Sequence, residues 1–135
     1  MGAGYLADTN VLIDLVLGRL PAASAAWLDA RLVAGQVAMS VVTRIELLVK
    51  TQPADEYATM LALVRSVPVL PLDEPVIQQT IALRQQHRVK LPDAIIAATA
   101  LAHGRPLLTR NAADFRRVAD LLILDPHDPA RLPAA

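Results

Sequence analysis

Four carboxylates interrupt the most apolar stretches of this chain, and any fold for it has to accommodate them. Asp8 ends Gly-Tyr-Leu-Ala-Asp, directly before a helical pattern, and Glu46 lies inside Val-Val-Thr-Arg-Ile-Glu-Leu-Leu-Val. Asp93 opens Asp-Ala-Ile-Ile-Ala-Ala-Thr-Ala-Leu-Ala, and Asp114 follows Leu-Leu-Thr-Arg-Asn-Ala-Ala. A buried acid is costly unless positive charge compensates it. If the four meet in space, the natural compensator is a divalent cation held by oxygen ligands. The fold must then gather residues from both halves of the chain.

The pattern between them offers a way. Short apolar runs at 4–8, 36–39, 67–72, 107–109 and 121–124 read as strands. Helical stretches separate them at 10–17, 22–34, 40–50, from Pro53 onward, 74–87, about 92–103 and just after Asn111. Gly18, Gly35 and Gly104 serve as stops, Ser40, Asp73 and Asn111 as caps, and Pro92 as a first-turn residue. Pro68 and Pro71 put the 67–72 strand at an edge. Strands alternating with helices predict an α/β fold, its mainly parallel sheet of four to five short strands covered on both faces. Ligands of such sheets bind beyond the carboxyl ends of the strands. Asp8 and Asp114 fall at or just past such ends.

Composition narrows the class further. At 135 residues and 54% apolar, the chain predicts one domain with one core. It has no cysteine, which excludes disulfides, thiolate zinc sites and thiol nucleophiles and permits a reducing cytosol. No secretory signal is apparent, and no apolar run approaches the ~18 residues of a membrane span. No histidine pair has zinc-ligand spacing. The expectation is a cytoplasmic protein with no membrane association. The tail from 126 to 135 is Pro-rich and expected to be loose, with His127 in it.

Net charge is zero but unevenly spread. Residues 84–117 hold seven bases against two acids, a net +5, and those two acids are Asp93 and Asp114. The first 83 residues hold five bases against eight acids, a net −3. A basic rim around an acidic centre suits a polyanion cut at a metal site, while a charge run alone is more often a solvated surface.

Each acid also has an ordinary explanation. Asp8 could cap the helix after it. Glu46 could pair with Lys50 at i,i+4, an arrangement worth ~0.3–0.5 kcal/mol. Asp93 could complement its helix dipole, and Asp114 could form a capping box with Asn111. For Glu46 the magnitudes decide. Its helical neighbours Val42 and Val49 predict a partly buried face, and a few tenths of a kcal/mol cannot offset burying an unpaired charge.

Taken in order, four segments resemble the motifs of PIN-domain nucleases. They are Asp8-Thr9-Asn10-Val11-Leu12-Ile13-Asp14, Ser40-Val41-Val42-Thr43-Arg44-Ile45-Glu46-Leu47, Asp93-Ala94-Ile95-Ile96-Ala97-Ala98-Thr99-Ala100 and Leu108-Thr109-Arg110-Asn111-Ala112-Ala113-Asp114-Phe115. Within that family, length and wording look most like VapC, the toxin half of a bacterial toxin–antitoxin pair. The resemblance implies a PIN-like three-layer α/β/α sandwich, with a nuclease domain over residues 1–125 followed by the tail. It implies a Mg²⁺-dependent endoribonuclease, with Mn²⁺ able to substitute, that is dimeric and inhibited by a cognate VapB-type antitoxin. Asp8, Glu46, Asp93 and Asp114 would form the acidic catalytic set, and Thr9, Asn10, Thr109 and Asn111 would support it. Asp8 and Asp93 are the expected direct metal ligands. Arg110 is the expected phosphate clamp, with Arg84, Arg88 and Lys90 holding flanking RNA.

Three other readings compete. A haloacid-dehalogenase-like phosphatase would want a second Asp at position 10, where Asn10 stands. A phosphate-accepting receiver would want a Lys after the late strand, where Arg110 stands. A PIN-like binding module that grips RNA or a partner without cutting would gain nothing from a negative pocket.

Overall fold

In the computed structural model, which describes residues 4–49 and 53–133, five short strands form one parallel sheet. They are β1 (Tyr5–Ala7), β2 (Val37–Ser40), β3 (Val69–Leu70), β4 (Leu107–Leu108) and β5 (Ile123–Leu124), in the order β3-β2-β1-β4-β5. Seven helices connect them: α1 (Thr9–Val16), α2 (Ala22–Val33), α3 (Val41–Val49), α4 (Ala54–Ser66), α5 (Glu74–Gln86), α6 (Leu91–Ala102) and α7 (Ala112–Phe115). The expected α/β class and parallel sheet are observed. Among the described residues, no helix is long and apolar enough to cross a membrane.

Side-chain alternation along the strands divides the expected single core into two, one on each face of the sheet. Ala7, Val37, Met39 and Leu108 face one side, where they meet Val11 and Leu12 of α1, Leu28 of α2 and Met60 and Val64 of α4. Leu6, Ala38 and Leu107 face the other, against Val76 and Leu83 of α5, Ile96 to Ala98 of α6, and Phe115. This two-sided burial is why the strands read as continuous apolar runs. The small residues of α6 let it lie close against α5 and the sheet: Ala94, Ala97, Ala98 and Ala100 are fully buried. That face is consumed inside the protein.

Local signals mostly fall where the chemistry predicts. Ser40 Oγ accepts from Thr43 N at 3.1 Å, capping α3, and Asp73 Oδ1 accepts from Val76 N at 3.3 Å, capping α5. Gly35 and Gly104 end α2 and α6 with φ of 71° and 61°, the left-handed conformation that glycine adopts without strain. Gly4 has a different reason. A Cβ there would collide with the Arg105 guanidinium, which donates to Tyr5 O at 3.3 Å.

Two expectations are corrected. Asn111 stands at the cap position of α7, but its side chain makes no capping bond, so no capping box forms with Asp114. Nor is the tail loose over its described length. His127 Nε2 lies 3.0 Å from Asp14 Oδ2, Trp27 Nε1 donates to Pro133 O at 2.7 Å, and Pro129–Arg131 forms a 3-10 turn. Proline stiffens this segment, and these polar contacts tie it to α1 and α2.

Phe115 is fully buried and anchors the four-residue helix that carries Asp114. Phe115→Ala is expected to cost ~3–5 kcal/mol, whereas Leu122→Ala, at a residue 60% exposed, should stay within ~0.5 kcal/mol of wild type. Urea denaturation of the two variants measures both.

Candidate active site

The chain builds β1, β2 and β3 outward on one side of the sheet, then returns to place β4 on the other side of β1. The carboxyl ends of β1 and β4 therefore border a topological switch point, where open parallel sheets leave a crevice. Asp8 is the residue after β1. Its backbone N–H donates to Leu108 O at 2.9 Å, continuing the β1–β4 ladder, and its extended backbone turns the chain into α1.

Asp8 is 3% exposed. Its Oδ1 accepts from Thr9 N at 2.8 Å, so the helix-capping role is real. Its Oδ2 accepts from Thr109 Oγ1, also at 2.8 Å, just past β4. The Thr109 hydroxyl in turn accepts from Asn111 N at 3.0 Å, which leaves its proton for Asp8. Each carboxylate oxygen keeps a further lone pair for another ligand.

Glu46 enters from α3, which touches α1, α4 and α6 and so spans both layers at this end of the sheet. Thr9 Oγ1 donates to Glu46 Oε1 at 2.6 Å and lies 3.1 Å from Thr43 Oγ1, one turn before Glu46. Glu46 is partly buried as expected, but its neighbours differ. Val42 packs on the core, while Val49 is 68% exposed at the cleft rim. The alternative partner, Lys50, lies outside the described residues. Asp93 sits in the first turn of α6, partly buried, and Asp114 is exposed on α7.

Two adjoining hollows collect these groups. One, of about 210 Å³, is bounded by Asp8, Thr9, Asn10, Glu46, Val49 and Asp93.

 

The second hollow of the site, about 690 Å³, is bounded by Arg88, Lys90, Asp93, Asn111, Asp114 and Arg117. Asp93 lies on the wall of both, so the four acids line two adjoining hollows.

The carboxylates feel one another. Burial pushes the Asp8 carboxyl above its ordinary value, and the charges of Asp93 and Glu46 push it further, against the hydrogen bonds from Thr109 and Thr9. Burial likewise raises Asp93, reinforced by Glu46 and Asp114 and opposed by Lys90. Among the described residues, none of the four acids forms an ion pair.

This donor set fits a hard cation in its chemistry: all oxygen, mutually repelling and, among the described residues, without an ion-paired partner. Among the described residues, no three acids or histidines are drawn close enough to form a ready-made cage. That spacing agrees with an ion such as Mg²⁺, which keeps several waters and takes one or two direct carboxylates.

The basic residues divide. Arg88 and Lys90 line the larger hollow. Arg84 stands farther out, donating through Nε to Val89 O at 3.2 Å. Arg110 turns away and donates to Asp14 Oδ2 at 3.1 Å. Sequence reasoning missed Arg117, Thr43 and Asp14 as parts of this region. Thr43 was legible, because it lies three residues before Glu46 on the same helical face. Nothing in the sequence pointed from Asp14 to Arg110.

A PIN domain family profile matches residues 5–121. No curated protein sequence matches the chain. Solved structures do. A toxin–antitoxin complex from Klebsiella pneumoniae is 31% identical, covers 93% of this chain and 99% of its own, and superposes with a TM-score of 0.74. VapBC-1 from nontypeable Haemophilus influenzae is 25% identical over 92% of this chain and 98% of its own, with a TM-score of 0.74. VapBC-5 from Mycobacterium tuberculosis is 27% identical over 92% and 99%, with a TM-score of 0.65. The matched profile and these relatives, together with the strand order and the acids at its switch point, make this chain a member of the PIN domain family, of the VapC type.

Proposed function

We propose that the protein is a Mg²⁺-dependent endoribonuclease toxin, able to use Mn²⁺, that is held inactive by a cognate VapB-type antitoxin. The observation that carries this reading is the acidic depression itself, where burial and the neighbouring acids raise the proton affinity of Asp8 and Asp93 and no cation among the described residues forms an ion pair with the four carboxylates. Family membership supports it, since PIN domains are generally nucleases that use divalent metal ions.

Asp8 and Asp93 would hold the ion, with Glu46 and Asp114 acting beside them or through water. When bound, the ion supplies charge neutralisation at a phosphodiester and lowers the pKa of water. The protein's own residues do the rest. Thr109 and the Thr9 amide fix the Asp8 carboxylate, and Thr9 fixes Glu46, so the donors need not reorganise when substrate arrives. Asn10 lines the inner hollow and Asn111 the outer one. Arg88, Lys90 and Arg117 form the cationic wall along which an RNA backbone would lie, with Arg84 extending it. A homodimer in the cytoplasm, bound to antitoxin until released, completes the proposal. The solved relatives are themselves toxin–antitoxin complexes.

Asp8→Asn and Asp93→Asn are expected to abolish metal-dependent RNA cleavage. In EDTA their melting temperatures should be unchanged or raised by up to ~4 °C, because each removes a repelling charge. A large drop in EDTA would make these acids structural. Absence of both cleavage and metal binding in the wild type would favour the non-cleaving module.

The pH dependence follows in sign. Both folded-state values are raised, so the folded protein holds these protons more tightly than the unfolded chain. The contribution of these two groups to metal-free stability should increase as pH falls through the raised values toward the unfolded value of 3.8. Asp8→Asn should flatten that slope in melts taken across mildly acidic pH.

A further inference from the structure

Asp14 is a second buried acid, outside the catalytic set and 1% exposed. Its carboxylate meets Arg110 Nη1 at 3.1 and 3.4 Å, His127 Nε2 at 3.0 Å and Arg19 Nη1 at 4.0 Å. Arg110 stands between two residues of the site. Thr109 before it donates to Asp8, and Asn111 after it lines the hollow shared with Asp93 and Asp114.

A guanidinium carried at that point has a strong electrostatic reason to turn into the carboxylates. Once there, it would occupy the place of the metal with a charge that can neither exchange nor activate water. The structure shows the opposite arrangement, with Arg110 paired to Asp14 and the four acids free of ion pairs among the described residues. We propose that Asp14 is a positioning residue that holds Arg110 out of the carboxylate cluster and so reserves the cluster for a divalent cation. This rests on the nuclease reading above. Burial of Asp14 reduces screening of its attraction for Arg110, and His127 fixes the carboxylate that receives it.

The test is Mn²⁺ affinity of the metal-free full chain, measured by electron paramagnetic resonance and titration calorimetry. The set is wild type, Asp14→Asn, Arg110→Gln and the double variant, with Asp14→Glu as the conservative control. Asp14→Asn should weaken Mn²⁺ binding by about tenfold or more, and Asp14→Glu should retain most of the affinity. The double variant should return to the affinity of Arg110→Gln, because the competing cation is gone. A merely structural role for Asp14 predicts no such rescue. Melting in EDTA checks that each variant is folded, and Asp14→Ser replaces Asp14→Asn if the latter is not. Unchanged affinity in Asp14→Asn, or a double variant as weak as Asp14→Asn, overturns the proposal while leaving the nuclease reading intact. A wild type that binds no Mn²⁺ overturns both.

Discussion

The hydrogen bond from Thr109 to Asp8 joins residues 101 positions apart and closes the site across the two central strands. It depends on the parallel register that sets Ala7 beside Leu108, so that the residues following each strand face one another. Everything else in the site is arranged around that junction. Glu46 is reached through Thr9, the neighbour of Asp8, and Asn111 reaches Asp8 through Thr109. Repulsion is thus built into a frame that packing keeps from relaxing. Fully buried Leu6, Ala7, Leu107 and Leu108 fix the strands, and Phe115 and Ile96 fix the helices that carry Asp114 and Asp93.

Much of this was legible because the signals were local. Short apolar runs, Gly35, Gly104, Ser40 and Asp73 each act within a few residues, and each does in the fold what its chemistry predicts. The edge position of β3 followed from Pro68 and Pro71, since proline cannot complete a central ladder. Asp8 stood out because a carboxylate at the end of a buried strand has few alternatives.

What sequence could not convey was pairing at long range. Asp14 and Arg110 are 96 positions apart, and Asp14 and His127 are 113 apart. No periodicity connects them, so Arg110 read as a phosphate clamp and the tail only as Pro-rich. Asn111 illustrates the reverse error. Its residue type favours capping, but the backbone there leaves its side chain without a capping bond.

The two outer strands have a further consequence. β3 and β5 are two residues long, and β3 lies between Pro68 and Pro71. So short a border offers few free amide and carbonyl groups for an added strand. Recognition by extended-chain pairing is therefore disfavoured on both flanks of the sheet.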